Sequence, residues 1–182
     1  MKKVMLLGDS IRMGYESYVK EALEGKAEVV APEENGRFAK YTLWGVNIWL
    51  KELGQPDIVH WNNGLWDLHH EAPMVEALTP LHEYLETLER IVNELKRTGA
   101  KIIFATTTSV AEDAIGRSNA EIAFYNKEAV KLMRILGVEV NDLNAVVNGD
   151  LSANLHEDKL HLNDQGNQLC AAEVVEKIKK YL

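Results

Sequence analysis

The chain of 182 residues holds one cysteine, Cys170, so it can form no intrachain disulfide and has no second thiolate for a zinc site. Cys170 falls in Leu169-Cys170-Ala171-Ala172, within a helical pattern, where a small buried thiol is expected rather than a nucleophile. Basic residues are also scarce. Lys and Arg number 20 against 28 Asp and Glu, a formal net charge of −8. A surface of that sign repels phosphate backbones and anionic lipid, so neither nucleic acid nor a membrane is an expected partner. Long apolar runs are missing too. Two lysines precede Val4–Leu7, but that run is too short for a secretory leader, and no stretch approaches membrane-spanning length. A cytoplasmic protein is expected, unless a leader has been removed. With no internal repeat, low-complexity tract or linker, one domain over 1–182 is expected. The Walker phosphate loop, Gly-x-Gly-x-x-Gly and His-Glu-x-x-His are all absent. No metal or organic cofactor is therefore called for. His69-His70-Glu71 reads as a polar loop segment.

What the chain does have is a rhythm. Apolar runs of β type recur at Lys3–Leu7, Glu28–Ala31, Asp57–Trp61, Lys101–Ala105 and Val138–Val140. Between them lie segments of helical period, the clearest at Leu78–Leu95, with others at Tyr15–Leu23, Tyr41–Leu53, Asn119–Leu136 and Asn163–Leu182. Gly25, Gly99 and Gly137 each fall between a helix and the next strand, where helix-ending glycines belong. Strands alternating with helices imply βαβ units with right-handed crossovers. The expected fold is α/β, a three-layer α/β/α sandwich on a five-stranded, mainly parallel sheet. The irregular segments 32–39, 63–77, 106–118 and 147–162 would then gather near the carboxyl edge of the sheet, where ligands bind in open α/β folds.

The first strand runs into Gly8-Asp9-Ser10, which puts a hydroxyl at that edge. Serine is a weak nucleophile until a base accepts its proton. Near the other end of the chain, Asp158-Lys159-Leu160-His161 supplies an imidazole with a carboxylate three residues before it. One turn can fold that carboxylate onto Nδ1 of the ring and leave Nε2 for the serine. Asn163 or Asp164 can cap the helix that follows. Asp9 is expected to brace its own turn, and Arg12 to pair with Asp9 or Glu16. Arg12 also stands where the Gly-x-Ser-x-Gly elbow of α/β-hydrolases would need its last glycine.

These two blocks resemble those of the SGNH hydrolases, also called the GDSL esterase/lipase family. Gly8-Asp9-Ser10-Ile11 is similar to the family's first block, and Asp158-Lys159-Leu160-His161-Leu162-Asn163 to its last. The resemblance implies a flavodoxin-like sheet of order 2-1-3-4-5, with Ser10 as nucleophile, His161 as base and then acid, and Asp158 as its orienting partner. It also implies an oxyanion hole built from the Ser10 N–H, a second-block glycine and a third-block asparagine. Gly36, in Asn35-Gly36-Arg37, occupies the glycine's place. The third block departs from the pattern. Gly64-Leu65-Trp66-Asp67 carries tryptophan where asparagine is usual, and Asn62-Asn63 just before it offers substitutes. Strand alternation sends the two side chains opposite ways. Asn63 is expected to fill the place because it lies at the turn, with Asn62 and the Trp66 indole as competitors. Of Trp44, Trp49, Trp61 and Trp66, most are expected in the core, and Trp66 near the pocket against substrate.

The expected activity is hydrolysis of small acyl esters, acetyl foremost, through an acyl-enzyme. A carbohydrate O-acetylesterase fits the resemblance. A thioesterase or lysophospholipase would use the same residues. Two other classes compete: a catalytically silent ligand-binding module, which Trp66 in the third block would suit, and a flavodoxin-like cofactor binder.

Overall fold

The computed structural model describes residues 1–182. Five strands, β1 (Lys2–Leu7), β2 (Ala27–Val30), β3 (Ile58–Asn62), β4 (Lys101–Ala105) and β5 (Glu139–Asn141), form one parallel sheet in the order β2-β1-β3-β4-β5. The helices are α1 (Ser10–Ala22), α2 (Ala39–Leu53), α3 (Leu81–Lys96), α4 (Asn119–Ile135), α5 (Leu143–Asn148), α6 (Leu151–Asn154) and α7 (Asp164–Lys179). α1 packs against α7, while α2, α3 and α4 pack in sequence, so the sheet lies between two helical layers. The expected three-layer sandwich and strand order are therefore observed.

Coverage on both faces explains why the strands read as unbroken apolar runs rather than alternating ones. Val4, Met5, Leu6 and Leu7 are fully buried, and each such side chain is worth roughly 1.5–3 kcal/mol relative to exposure. β3 is buried along its whole length despite His60 and Asn62. His60 lies between Tyr15 Oη, 3.4 Å from Nδ1, and Asn141 Nδ2, 3.1 Å from Nε2. Burial pushes its pKa down to about 3, so it is a neutral polar core residue. The Cys170 thiol is likewise buried, and desolvation raises its pKa to about 12. No helix is long and apolar enough to cross a membrane.

Sheet register brings the site together. Leu7 pairs with Trp61, Asn62 with Ala105, and Ala105 with Asn141. The chain segments leaving β1, β3, β4 and β5 thus emerge at one edge. Strand order reverses between β1 and β3, the switch point at which open α/β folds bind ligands.

Candidate active site

β1 runs out at Leu7 into Gly8, whose φ of +149° is open to glycine and strained for other residues. A Cβ there would lie 2.0 Å from Asn62 Oδ1, so a side chain is excluded by contact as well as by backbone. The next residue, Asp9, caps α1 by accepting from the Ile11 N–H at 3.0 Å, and the helix begins at Ser10. That is five residues earlier than the helical period predicts, because the capping turn rather than the apolar stripe sets the start. Ser10 is the first residue of α1, so its N–H has no intrahelical carbonyl to bond.

The second half comes from the segment between α6 and α7. Leu155 and Leu162 form an isolated antiparallel bridge, and His156 N–H donates to the His161 carbonyl at 2.8 Å. These contacts close a tight loop around Asp158 and His161. Lys159, at φ 69°, takes the left-handed conformation that the turn demands. Asp158 Oδ1 accepts from the Leu160 and His161 N–H groups at 3.0 and 2.9 Å. Its Oδ2 lies 2.6 Å from His161 Nδ1. Asn163 caps α7 by accepting from Gly166 N–H at 3.0 Å, and so fixes the loop's exit.

The two halves meet across 151 positions: His161 Nε2 is 2.8 Å from Ser10 Oγ. A carboxylate only accepts, so Nδ1 carries the ring proton and Nε2 is free to accept from the hydroxyl. Burial raises the Asp158 pKa, but the hydrogen bonds from the His161 ring and from the N–H groups of His161 and Leu160 outweigh it and hold it at about 2. Asp158 is ionised at neutral pH. The arrangement can pass a proton from hydroxyl to imidazole and stabilise the resulting cation.

Two expected oxyanion donors are engaged elsewhere. Gly36 N–H donates to the Gly8 carbonyl at 2.9 Å, and a Cβ on Gly36 would lie 2.6 Å from that oxygen. Gly36 is a glycine for close approach, stapling the loop after β2 onto the Gly8 turn. Asn63 is fully buried; its Oδ1 accepts from the Trp61 indole at 2.7 Å and its Nδ2 donates to the Arg37 carbonyl at 2.9 Å. The asparagine against the Gly8-Asp9 turn is Asn62, whose Nδ2 donates to Asp9 Oδ1 at 3.0 Å. The physical reason is register. β3 extends one residue beyond Trp61, so Asn62 is the last ladder residue, beside Gly8, and Asn63 turns the other way.

Asp9 braces its turn as expected. Burial pushes its carboxyl up, against the hydrogen bonds from Asn62 and Ile11. Arg12 pairs with Glu16 and donates to the Glu34 carbonyl at 2.7 Å. His69 bonds Glu71 and His70 bonds Glu121, each at 2.8 Å, so both fasten loops. No cluster of three or more His, Cys, Asp or Glu side chains is arranged to hold a metal ion. Trp49 and Trp61 are buried, and Trp66 is 36% exposed on the loop after β3. Trp44 departs from the core expectation: it is 63% exposed on α2, resting on the Tyr41 ring.

Three features of the site were not foreseen. Asp67 is buried, and both its carboxylate oxygens lie 3.0 Å from Ala39 N, at the start of α2. Phe38, the residue at the cap position, offers no side-chain bond of its own. The loop after β4 is clamped by Asn126, which accepts from Thr107 N–H and donates to Thr107 C=O, both at 2.8 Å. Arg117, on the same loop, donates from Nε to the Leu65 carbonyl at 2.7 Å. The sequence does carry a signal there, four consecutive hydroxyl residues Thr106–Ser109 directly after a strand, and all four are buried.

A sandwich with this strand order and a Ser–His–Asp array at its switch point defines the SGNH class of fold and site. The family of GDSL-like lipases and acylhydrolases matches residues 6–169, and the chain belongs to it, a carboxylic ester hydrolase by family. No curated protein sequence matches significantly. Among solved structures the fold is similar to the acetyl xylan esterase AlAXEase, with 22% identity, TM-score 0.81, and 97% of this chain and 99% of that one covered. It is also similar to an acetylxylan esterase from Geobacillus stearothermophilus, with 20% identity, TM-score 0.80, and coverage of 97% and 94%. A GDSL-like lipase from Bacteroides thetaiotaomicron aligns at 17% identity and TM-score 0.79, covering all of this chain and 89% of that one.

Proposed function

We propose that the protein is a serine-dependent esterase for small acyl groups, acetyl foremost, with Ser10 as nucleophile. The observation that carries the reading is the unbroken relay from Ser10 Oγ to His161 Nε2, 2.8 Å, and from His161 Nδ1 to Asp158 Oδ2, 2.6 Å. Ser10 Oγ attacks the acyl carbonyl while its proton passes to Nε2. The tetrahedral oxyanion is met by the Ser10 N–H at the start of α1 and by the second Nδ2 proton of Asn62, the first being given to Asp9 Oδ1. Collapse breaks the ester bond, and the leaving alkoxide takes the proton from His161. Water then enters; His161 accepts one of its protons as hydroxide adds to the acyl carbon, and returns that proton to Ser10 Oγ as the acid departs. Asp158 holds the ring tautomer throughout.

The acetyl xylan esterases among the similar folds and the part-exposed Trp66 indole favour an acetylated carbohydrate as substrate, with the indole as a platform for a sugar face. The complete relay favours an enzyme over a silent binding module. The test is a series of nitrophenyl esters of rising chain length, assayed with wild type, Ser10→Ala and His161→Ala. Acetate and other short esters are expected to be hydrolysed, and each substitution to lower kcat by roughly 10³-fold or more. Equal rates for wild type and Ser10→Ala would remove the mechanism.

A further inference from the structure

Arg117 is a charge without a partner. Its Nε is fixed on the Leu65 carbonyl at 2.7 Å, yet neither terminal nitrogen donates a hydrogen bond, and no carboxylate lies within 4.0 Å. Other arginines are provided for. Arg12 pairs with Glu16, Arg97 pairs with Glu94, and Arg37 lies over the Tyr41 ring. Arg90 and Arg134 are exposed to water. Arg117 is partly buried, and desolvation lowers its pKa. The carboxylates of Asp9 and Glu71 oppose that shift only from a distance. Partly desolvating a guanidinium without a close counter-ion costs free energy.

The place of this charge gives it meaning. Arg117 lines a cleft of about 370 Å³ between the loop after β4 and the loop of the Asp–His pair, with Ile115 on its own side and Asp158 and Leu160 opposite. The two loops are tied together, since Ala111 N–H donates to the Lys159 carbonyl at 2.9 Å and Lys159 pairs with Asp113. Lys159 and Asp113 therefore cancel, and Asp158 is committed to His161. The cleft's one positive charge without a carboxylate partner is the Arg117 guanidinium; Asp158, the remaining charge there, is held by hydrogen bonds from the His161 ring and from the Leu160 and His161 N–H groups. It sits beside the backbone of Leu65, next to Trp66. A guanidinium with both terminal nitrogens open matches a carboxylate in bidentate geometry.

We infer that Arg117 and this cleft form an anion subsite that binds a carboxylate on the alcohol portion of the ester, so that acidic substrates such as acetylated sugar acids are preferred. The inference rests on the esterase reading above and deepens it.

The test compares 3-acetoxybenzoate with its neutral analogue 3-acetoxybenzamide, and reads the ratio of their kcat/KM values. Wild type is expected to favour the anion by about 10- to 100-fold, the range for hydrogen bonds to a charged group. Arg117→Gln should collapse that ratio toward one, and Arg117→Lys should restore part of it. Benzoate should inhibit hydrolysis of the neutral ester by wild type more strongly than by Arg117→Gln. A wild-type ratio near one, or a ratio unchanged in Arg117→Gln, overturns the subsite and leaves the esterase reading intact. If wild type hydrolyses neither ester nor nitrophenyl acetate, the esterase reading falls and the subsite with it. If Arg117→Gln lowers both rates in equal proportion, Arg117 acts only by holding Leu65, and the subsite is overturned.

Discussion

Asn62 donates to Asp9 Oδ1 at 3.0 Å, joining the end of β3 to the cap of α1, while the side chain of Asn63 beside it bonds the Trp61 indole and the Arg37 carbonyl. The two asparagines therefore have different work. Asn62→Ala is expected to lower kcat by about 10²- to 10³-fold, the usual effect of losing an oxyanion donor. Asn63→Ala instead leaves a buried indole N–H and a carbonyl unpaired, for a stability loss of about 1–3 kcal/mol. Steady-state kinetics and denaturant melts on both variants separate these effects. A larger kcat loss at Asn63 would reverse the assignment.

The contact between Gly8 and Asn62 makes a second prediction. Gly8→Ala carries a backbone cost of about 1–3 kcal/mol for its positive φ, and adds a clash, because the new Cβ would lie 2.0 Å from Asn62 Oδ1. Only the clash vanishes when Asn62 is shortened. A double-mutant cycle with Asn62→Ala should thus show Gly8→Ala costing less in the shortened background. Additivity to within about 0.5 kcal/mol would mean that the two residues do not constrain each other.

Much of this was readable before folding, for reasons the same residues make clear. Parallel strands covered on both faces must be apolar throughout, so all five showed as runs, and Lys101–Ala105 was bounded without error. The Ser10 and Asp158–His161 blocks were visible because a turn makes each of them locally. The choice between Asn62 and Asn63 was not, since it depends on whether β3 stops at Trp61 or one residue later. Only the pairing of Asn62 with Ala105 decides that. Gly36 N–H, Asp67 and Arg117 owe their partners to distant segments, so nothing near them in the chain marks what they bond.

Asp158 bears on the pH behaviour of the reaction. Its hydrogen bonds hold the carboxyl at about 2 against the effect of burial. A depressed carboxyl contributes above its unfolded value of 3.8 and is lost only as pH falls through the folded value. Between pH 5 and 8, then, Asp158 stays ionised, and the acid limb of activity does not come from it. Asp158→Asn is expected to lower kcat by about 10⁴-fold through loss of the correct ring tautomer. The acid limb of wild-type kcat between pH 8 and 5 should fall by no more than about tenfold per pH unit, as a single titrating group gives. A steeper fall would mean that Asp158 also loses its charge in that range.

Asp67 makes the opposite pH prediction, for stability rather than rate. Burial, helped by the charge of Asp9, raises its pKa from 3.8 to about 7, against the hydrogen bonds from Ala39 N–H and the Thr79 side chain. A carboxyl raised in the folded state binds its proton more tightly there than in the unfolded chain. Folding is thus favoured most below about pH 4 on this account, and the advantage is lost as pH rises through 7, a change on the order of a few kcal/mol. Asp67→Asn keeps an oxygen to accept from Ala39 N–H and cannot ionise. Relative to that variant, wild type should be markedly less stable at pH 8 than at pH 5, as read by denaturant melts at the two values. An equal difference at both would mean that Asp67 does not change charge in this range. In that case the N-terminus of α2, which has no cap from Phe38, would be closed by a permanent carboxylate drawn from the loop after β3.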